Sequence, residues 1–128
     1  LVPVLLEFQP DDDGAKRTQH IVLAARAQAL AMAGRFKEGV ALLRQQVDIS
    51  DDLVRRSNNL PANVRSQAVT LSMLADLYDD NGFYKDSCPL YARADAIFTD
   101  LDKRGELSQL DRDSSQRMIR ERRAKHCK

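Results

Sequence analysis

Two stretches of this chain repeat one arrangement of apolar, small and helix-breaking residues around a glycine. Leu23, Ala27 and Leu30 precede Gly34 at the same intervals at which Leu71, Ala75 and Tyr78 precede Gly82. Beyond each glycine come an aromatic residue (Phe36, Tyr84), a small one (Gly39, Ser87) and a bulky apolar one (Leu43, Tyr91), again at matching distances. Within the second stretch Val64, Ala68, Leu71, Ala75 and Tyr78 fall on one face of a helix, and Asn81-Gly82 stops it. Tyr84, Cys88, Tyr91, Ala94, Phe98 and Leu101 then form a second helical stripe that ends at Gly105. A tight connection between two such helices makes an antiparallel hairpin, and the repetition predicts an all-α chain of stacked hairpins.

The residues that carry the repetition resemble the tetratricopeptide repeat family over roughly residues 18–101. Small side chains stand where that family needs close helix approach, at Ala27 and Ala75, Gly34 and Gly82, and Gly39 and Ser87. The chain departs from the family at Leu23 and Leu71, where an aromatic is usual, and its two glycines lie further apart than the family period of about 34 residues. Longer helices account for that spacing. The run Lys85-Asp86-Ser87-Cys88-Pro89-Leu90-Tyr91, with Leu101 to Leu107 and Asp111, resembles the last repeat of bacterial signalling proteins such as serine/threonine kinases and nucleotide cyclases. The resemblance implies a right-handed superhelix: an N-terminal piece (1–10), hairpins at 13–57 and 61–105, and a C-terminal capping helix (108–125). It also implies a non-catalytic interaction module within a larger signalling or regulatory protein, whose concave face takes a peptide, a protein or another domain of the parent chain. The groove side of the first helices would carry Ala24, Gln28, Ala31 and Met32, and then Ser72, Asp76 and Asp79. Its apolar half around Met32 and acidic half around Asp76 and Asp79 suit a segment with Lys or Arg near an apolar anchor.

Composition agrees with one helical domain. The 128 residues, 43% hydrophobic and 30% charged, are enough to bury about two thirds of the unfolded surface, and the low aromatic content without Trp favours helix packing. A formal charge of +1 gives no overall pull toward nucleic acid or membrane. Cys88 and Cys127 make no disulfide framework, so two free thiols are expected: Cys88 buried on its stripe, Cys127 reactive, both in a reducing cytoplasm. The apolar run Leu1 to Phe8 has no basic leader and is too short to cross a bilayer; it is expected to cover the open end of the first repeat.

Local signals set the element boundaries. Asp11-Asp12-Asp13 precedes a helical pattern, where carboxylates cap free N–H groups rather than hold a metal. The first helix is expected from Asp13 to Ala33 and the second from Phe36 to Ser57, with Asp51-Asp52 pairing Arg55-Arg56 on its outer side. Ser57-Asn58-Asn59-Leu60-Pro61 is the hinge between hairpins, because Asn tolerates the left-handed conformation and Pro suits a first turn. Pro89 predicts that its helix starts near Asp86. Ser108-Gln109-Leu110-Asp111 resembles a capping box opening a last helix with a thin apolar face of Leu110, Ser114, Met118 and Ile119.

Little in the chain suggests catalysis, a metal or a cofactor, and none is expected. His20 and His126 have no nucleophile or metal-ligand spacing, and the glycines form no phosphate-binding loop. Asp76, Asp79 and Asp80 read as a solvated or ligand-facing surface rather than a carboxylate dyad. Arg117, Arg120, Arg122, Arg123, Lys125 and Lys128 read first as cations at the negative end of a helix dipole. Nucleic-acid binding through that basic tail is the alternative function, weakened by the lack of interleaved aromatics. Self-association through an uncapped repeat end is a further possibility.

Overall fold

The four helices that form the two hairpins are closed by the same device. In the computed structural model, which describes residues 13–128 with side chains from Thr18 onward, α1 (Asp13–Met32), α2 (Phe36–Arg56), α3 (Pro61–Asp80) and α4 (Tyr84–Lys103) follow one another. After each, a residue in the left-handed region turns the chain: Gly34 (φ 78°), Asn58 and Asn59 (55° and 63°), Gly82 (82°) and Gly105 (70°). An N–H five residues on then returns to a last-turn carbonyl: Arg35 to Leu30 (2.8 Å), Asn59 to Val54 (3.0 Å), Phe83 to Tyr78 (2.9 Å) and Glu106 to Leu101 (2.9 Å). These are Schellman closures, which satisfy carbonyls that a helix end would otherwise leave open. The expected N-terminal piece and the Asp11-Asp12 part of its turn lie outside the described residues.

Among the described residues all regular structure is helical. The helix α3 is central, packing against α2, α4 and also α1. Its buried set, which includes Val64, Ala68, Leu71, Leu74, Ala75 and Leu77, spreads over more than one face, as a helix enclosed by neighbours requires. Tyr91, Ala94, Phe98 and Leu101 of α4 and Leu43 and Val47 of α2 complete the core. The small residues sit where helices approach: Ala27, Ala75 and Ser87 are fully buried, and Gly39 lies against α1. Phe36, Tyr78 and Phe83 form one aromatic cluster beside the two hairpin turns, Phe36 stacking on Phe83 at 4.9 Å.

Three local expectations are corrected. The helix α4 starts at Tyr84, not near Asp86, and holds Pro89 inside it with Phe83 as an N-cap that makes no side-chain bond. Pro89 lies on the exposed side, so the carbonyl one turn back can meet water instead of a lost N–H. Asp51 does not pair on the outer side of α2: it accepts from Gln67 (2.8 Å) and pairs with Arg93 (3.2 Å), whereas Asp52 alone takes Arg55 and Arg56. At the C-terminus, the Asp111 N–H donates to Ser108 Oγ (3.1 Å), the cap expected there. Past it, however, the helix opens into a π-helical stretch, Asp111–Gln116, before continuing as α5 (Arg117–His126). The wide turn rotates part of the expected apolar face outward. Leu110 and Met118 are exposed, Ile119 is buried as expected, and Leu107, Asp111 and Gln116 are buried too.

Candidate functional site

The first helices of the two hairpins face one another across a shallow cleft. Ala24, Ala25 and Gln28 of α1 form one wall, Met73, Asp76, Leu77 and Asp80 of α3 the other, and Leu43 of α2 reaches the floor. Its volume of about 210 Å³ suits one side chain and falls short of the few hundred Å³ of a small-molecule pocket. Gln28 Nε2 donates to Asp80 Oδ2 across it (2.7 Å).

At the acidic end of α3 the carboxylates are already occupied. Arg122 Nη1 of α5 donates to Asp79 Oδ2 (2.9 Å) and Asp80 Oδ1 (2.8 Å), and its Nε lies 3.8 Å from Asp76 Oδ1. Asp76 also accepts a short hydrogen bond from the Tyr91 hydroxyl. Asp79, 5% exposed, is held further by His126 Nδ1 (2.9 Å) and by the Ser87 hydroxyl (3.4 Å). The His126 ring stacks on Tyr84 with centroids 4.2 Å apart. One turn of α5 therefore sets Arg122 and His126 together over three aspartates on the last turns of α3.

The path of the C-terminal segment explains this meeting. Arg65, in the first turns of α3, grips Asp111 with two hydrogen bonds (2.6 and 3.0 Å). Gln116 then donates to Asp95 (3.0 Å), and Arg120 and Arg123 pair with the same carboxylate (3.2 and 2.8 Å). Asp95 lies on α4, so α5 runs antiparallel to α4 and in the same direction as α3. The end is closed by a disulfide between Cys88 and Cys127. That bond overturns the expectation of a buried free Cys88 and a reactive free Cys127, and with it the basis for expecting a reducing cytoplasm. Both cysteines are half-buried. Much of the basic run is paired: Arg120, Arg122 and Arg123 with acids of α3 and α4, and exposed Arg117 with Glu121 of its own helix (3.1 Å).

Burial pushes the Asp76 carboxyl up to about 6, against the Tyr91 hydrogen bond and the Arg122 charge, which both pull it down. An acid raised above its ordinary value near 4 favours the folded state while protonated. Its contribution is therefore full below about pH 4 and is lost as pH rises through about 6. Denaturant midpoints of Asp76→Asn, which cannot ionise, are expected to gain on those of the parent protein as pH rises across that window. A constant difference from pH 4 to pH 7 would sink the assignment.

Of the residues expected to line a groove, the structure brings Ala24, Gln28 and Asp76 into the cleft. Asp79 lies beneath Arg122 rather than open to a ligand. Ser72 is half-buried with its hydroxyl turned to the Val69 carbonyl of its own helix (2.8 Å). Ala31 is half-buried outside the cleft, and Met32, 87% exposed, stands at the end of α1. Sequence reasoning missed Met73, Tyr91 and the role of Arg122 and His126. The signal for the last two was present: an Arg and a His spaced one helical turn apart match acids spaced three and four apart. Among the described residues no cluster of His, Cys, Asp or Glu is placed to hold a metal, and no helix is long and apolar enough to cross a membrane. His20 meets Ser66 (3.1 Å) near the start of α3, far along that helix from His126 at Asp79.

Fold and site together define an all-helical domain of two hairpins with a C-terminal helix docked onto the second. Comparison with protein families, with characterised proteins and with solved structures finds no match to this chain.

Proposed function

We propose that this domain is a tetratricopeptide-like, non-catalytic interaction module that takes a peptide or protein segment between α1 and α3. The observation that carries this reading is the α1–α3 cleft, which has an apolar floor, an acidic rim and room for one anchoring side chain. The direction of α5 supports it too. This helix lies antiparallel to α4, as the first helix of a further hairpin would, and covers the end of the stack. A basic residue near an apolar anchor remains the ligand chemistry that best suits the cleft, with another domain of a larger bacterial signalling or regulatory protein as one source of such a segment. The disulfide favours an oxidising compartment for this domain.

Selection of a random peptide library on the folded chain tests the reading. Selected peptides are expected to carry Lys or Arg beside an apolar residue and to shift the amide resonances of residues 24–32 and 72–80. Ala24→Arg, which fills the cleft from its wall, is expected to weaken them at least about tenfold, or 1.4 kcal/mol, with the melting temperature nearly unchanged. Peptides that map to the outer faces of α2 and α4, or that bind Ala24→Arg as well as the parent, would reject the groove.

A further inference from the structure

The C-terminal segment covers the α3 acids, and a reducible bond ends it. We propose that the Cys88–Cys127 disulfide is a latch that keeps Arg122 and His126 seated on Asp76, Asp79 and Asp80, and that a dithiol reductant opens it to expose those acids to a basic peptide segment. The partner half of this inference rests on the groove reading; the latch does not.

Three observations converge on it. First, the last turn of α5 buries no apolar side chain of its own. Upstream, buried Ile119, the Gln116–Asp95 bond and the Arg120 and Arg123 pairs with Asp95 hold α5 to α4. The last turn depends on the ion pairs of Arg122, on the His126–Asp79 contact, on one ring stack and on the disulfide. The disulfide adds a covalent tie to these contacts and keeps their effective concentration high. Second, the bond is reachable. It lines an open cleft of about 400 Å³ together with Lys85, Arg123, His126 and Lys128. Cationic groups around a sulfur pair draw an attacking thiolate and favour the departing one. Third, the segment is built as an occupant. Arg122 supplies to the acids of α3 the same guanidinium that a basic ligand would bring, so an incoming segment competes with it. Apparent affinity is then reduced by the fraction of chains in which the last turn is open.

The chemistry balances through thiol exchange. One thiolate of the dithiol attacks one sulfur of the pair, and the other cysteine leaves as a thiolate and takes up a proton. The second thiol of the reductant then attacks the mixed disulfide and releases the remaining cysteine. Two protein thiols form, and the dithiol becomes a disulfide.

Amide hydrogen exchange on the full chain, oxidised and after dithiothreitol, tests the latch, and Cys88→Ser with Cys127→Ser gives a form open without reductant. Residues 122–127 are expected to exchange at least about tenfold faster in both open forms, with residues 94–101 unchanged. Unchanged exchange at 122–127 overturns the latch. So does faster exchange at 94–101 as well, since the bond then holds the whole domain rather than its last turn. A labelled synthetic peptide copying Arg117–His126 is the binding probe. It is expected to bind the reduced chain at least about tenfold more tightly than the oxidised one. Release of residues 122–127 without peptide uptake overturns the exposure of a binding site while the latch stands.

Discussion

Arg65→Ala is expected to lower stability by about 3–5 kcal/mol, more than any surface change in this chain. The Asp111 carboxylate is 1% exposed, and the guanidinium that faces it through two hydrogen bonds is itself largely covered. Removing the cation takes two hydrogen bonds from a buried carboxylate, whose desolvation is then offset less. The loss reaches beyond the pair, because Asp111 opens the π-helical stretch that aims α5 at α4. Replacing both residues by leucine removes the charge together with its partner and is expected to be milder than Arg65→Ala alone. Urea denaturation of the three proteins decides the matter. A single variant within 1 kcal/mol of the parent, or a double variant worse than the single, would show that the pair does not anchor the C-terminal segment.

Gly39→Ala is expected to destabilise by about 1–3 kcal/mol even though alanine is the better helix former. A methyl group at position 39 would meet the Ala27 carbonyl oxygen at 2.8 Å and Leu77 Cδ2 at 3.4 Å. The first contact is with backbone of α1, which cannot step aside as a side chain can, so α1 and α2 must separate. Two residues along α2 the opposite rule holds. Ala41 is exposed, and Ala41→Gly is expected to lose about 1 kcal/mol through helix propensity alone. Alanine should therefore harm at 39 and help at 41. Thermal denaturation of both variants tests this, and a stabilised Gly39→Ala would contradict the close crossing of α1 and α2.

The two predictions mark different degrees of legibility. Gly39 was readable because its partner in the repeat, Ser87, is small at the same distance from a glycine, and Ser87 is fully buried as that match requires. Arg65 was not readable. Nothing near it distinguishes it from other arginines, and the residue that gives it meaning lies on a segment whose direction no local pattern states. Asp79 shows both sides. Its place on the last turn of α3 followed from periodicity, whereas its cover by Arg122 and His126 did not.

By itself, then, the sequence determined the four hairpin helices to within a turn at each end. Left-handed glycines and asparagines, apolar periodicity and small residues act over one or two turns, and those energies are present in the local chain. The tertiary structure alone decided the rest: that Pro89 sits inside α4, that a π-helical turn turns Leu110 and Met118 outward, and that Cys88 meets Cys127 from 39 residues away. The last of these depends on α5 lying antiparallel to α4. That orientation follows from which buried acids, Asp95 and Asp111, find cations across the fold, because a carboxylate taken out of water must be paired wherever its partner lies in the sequence.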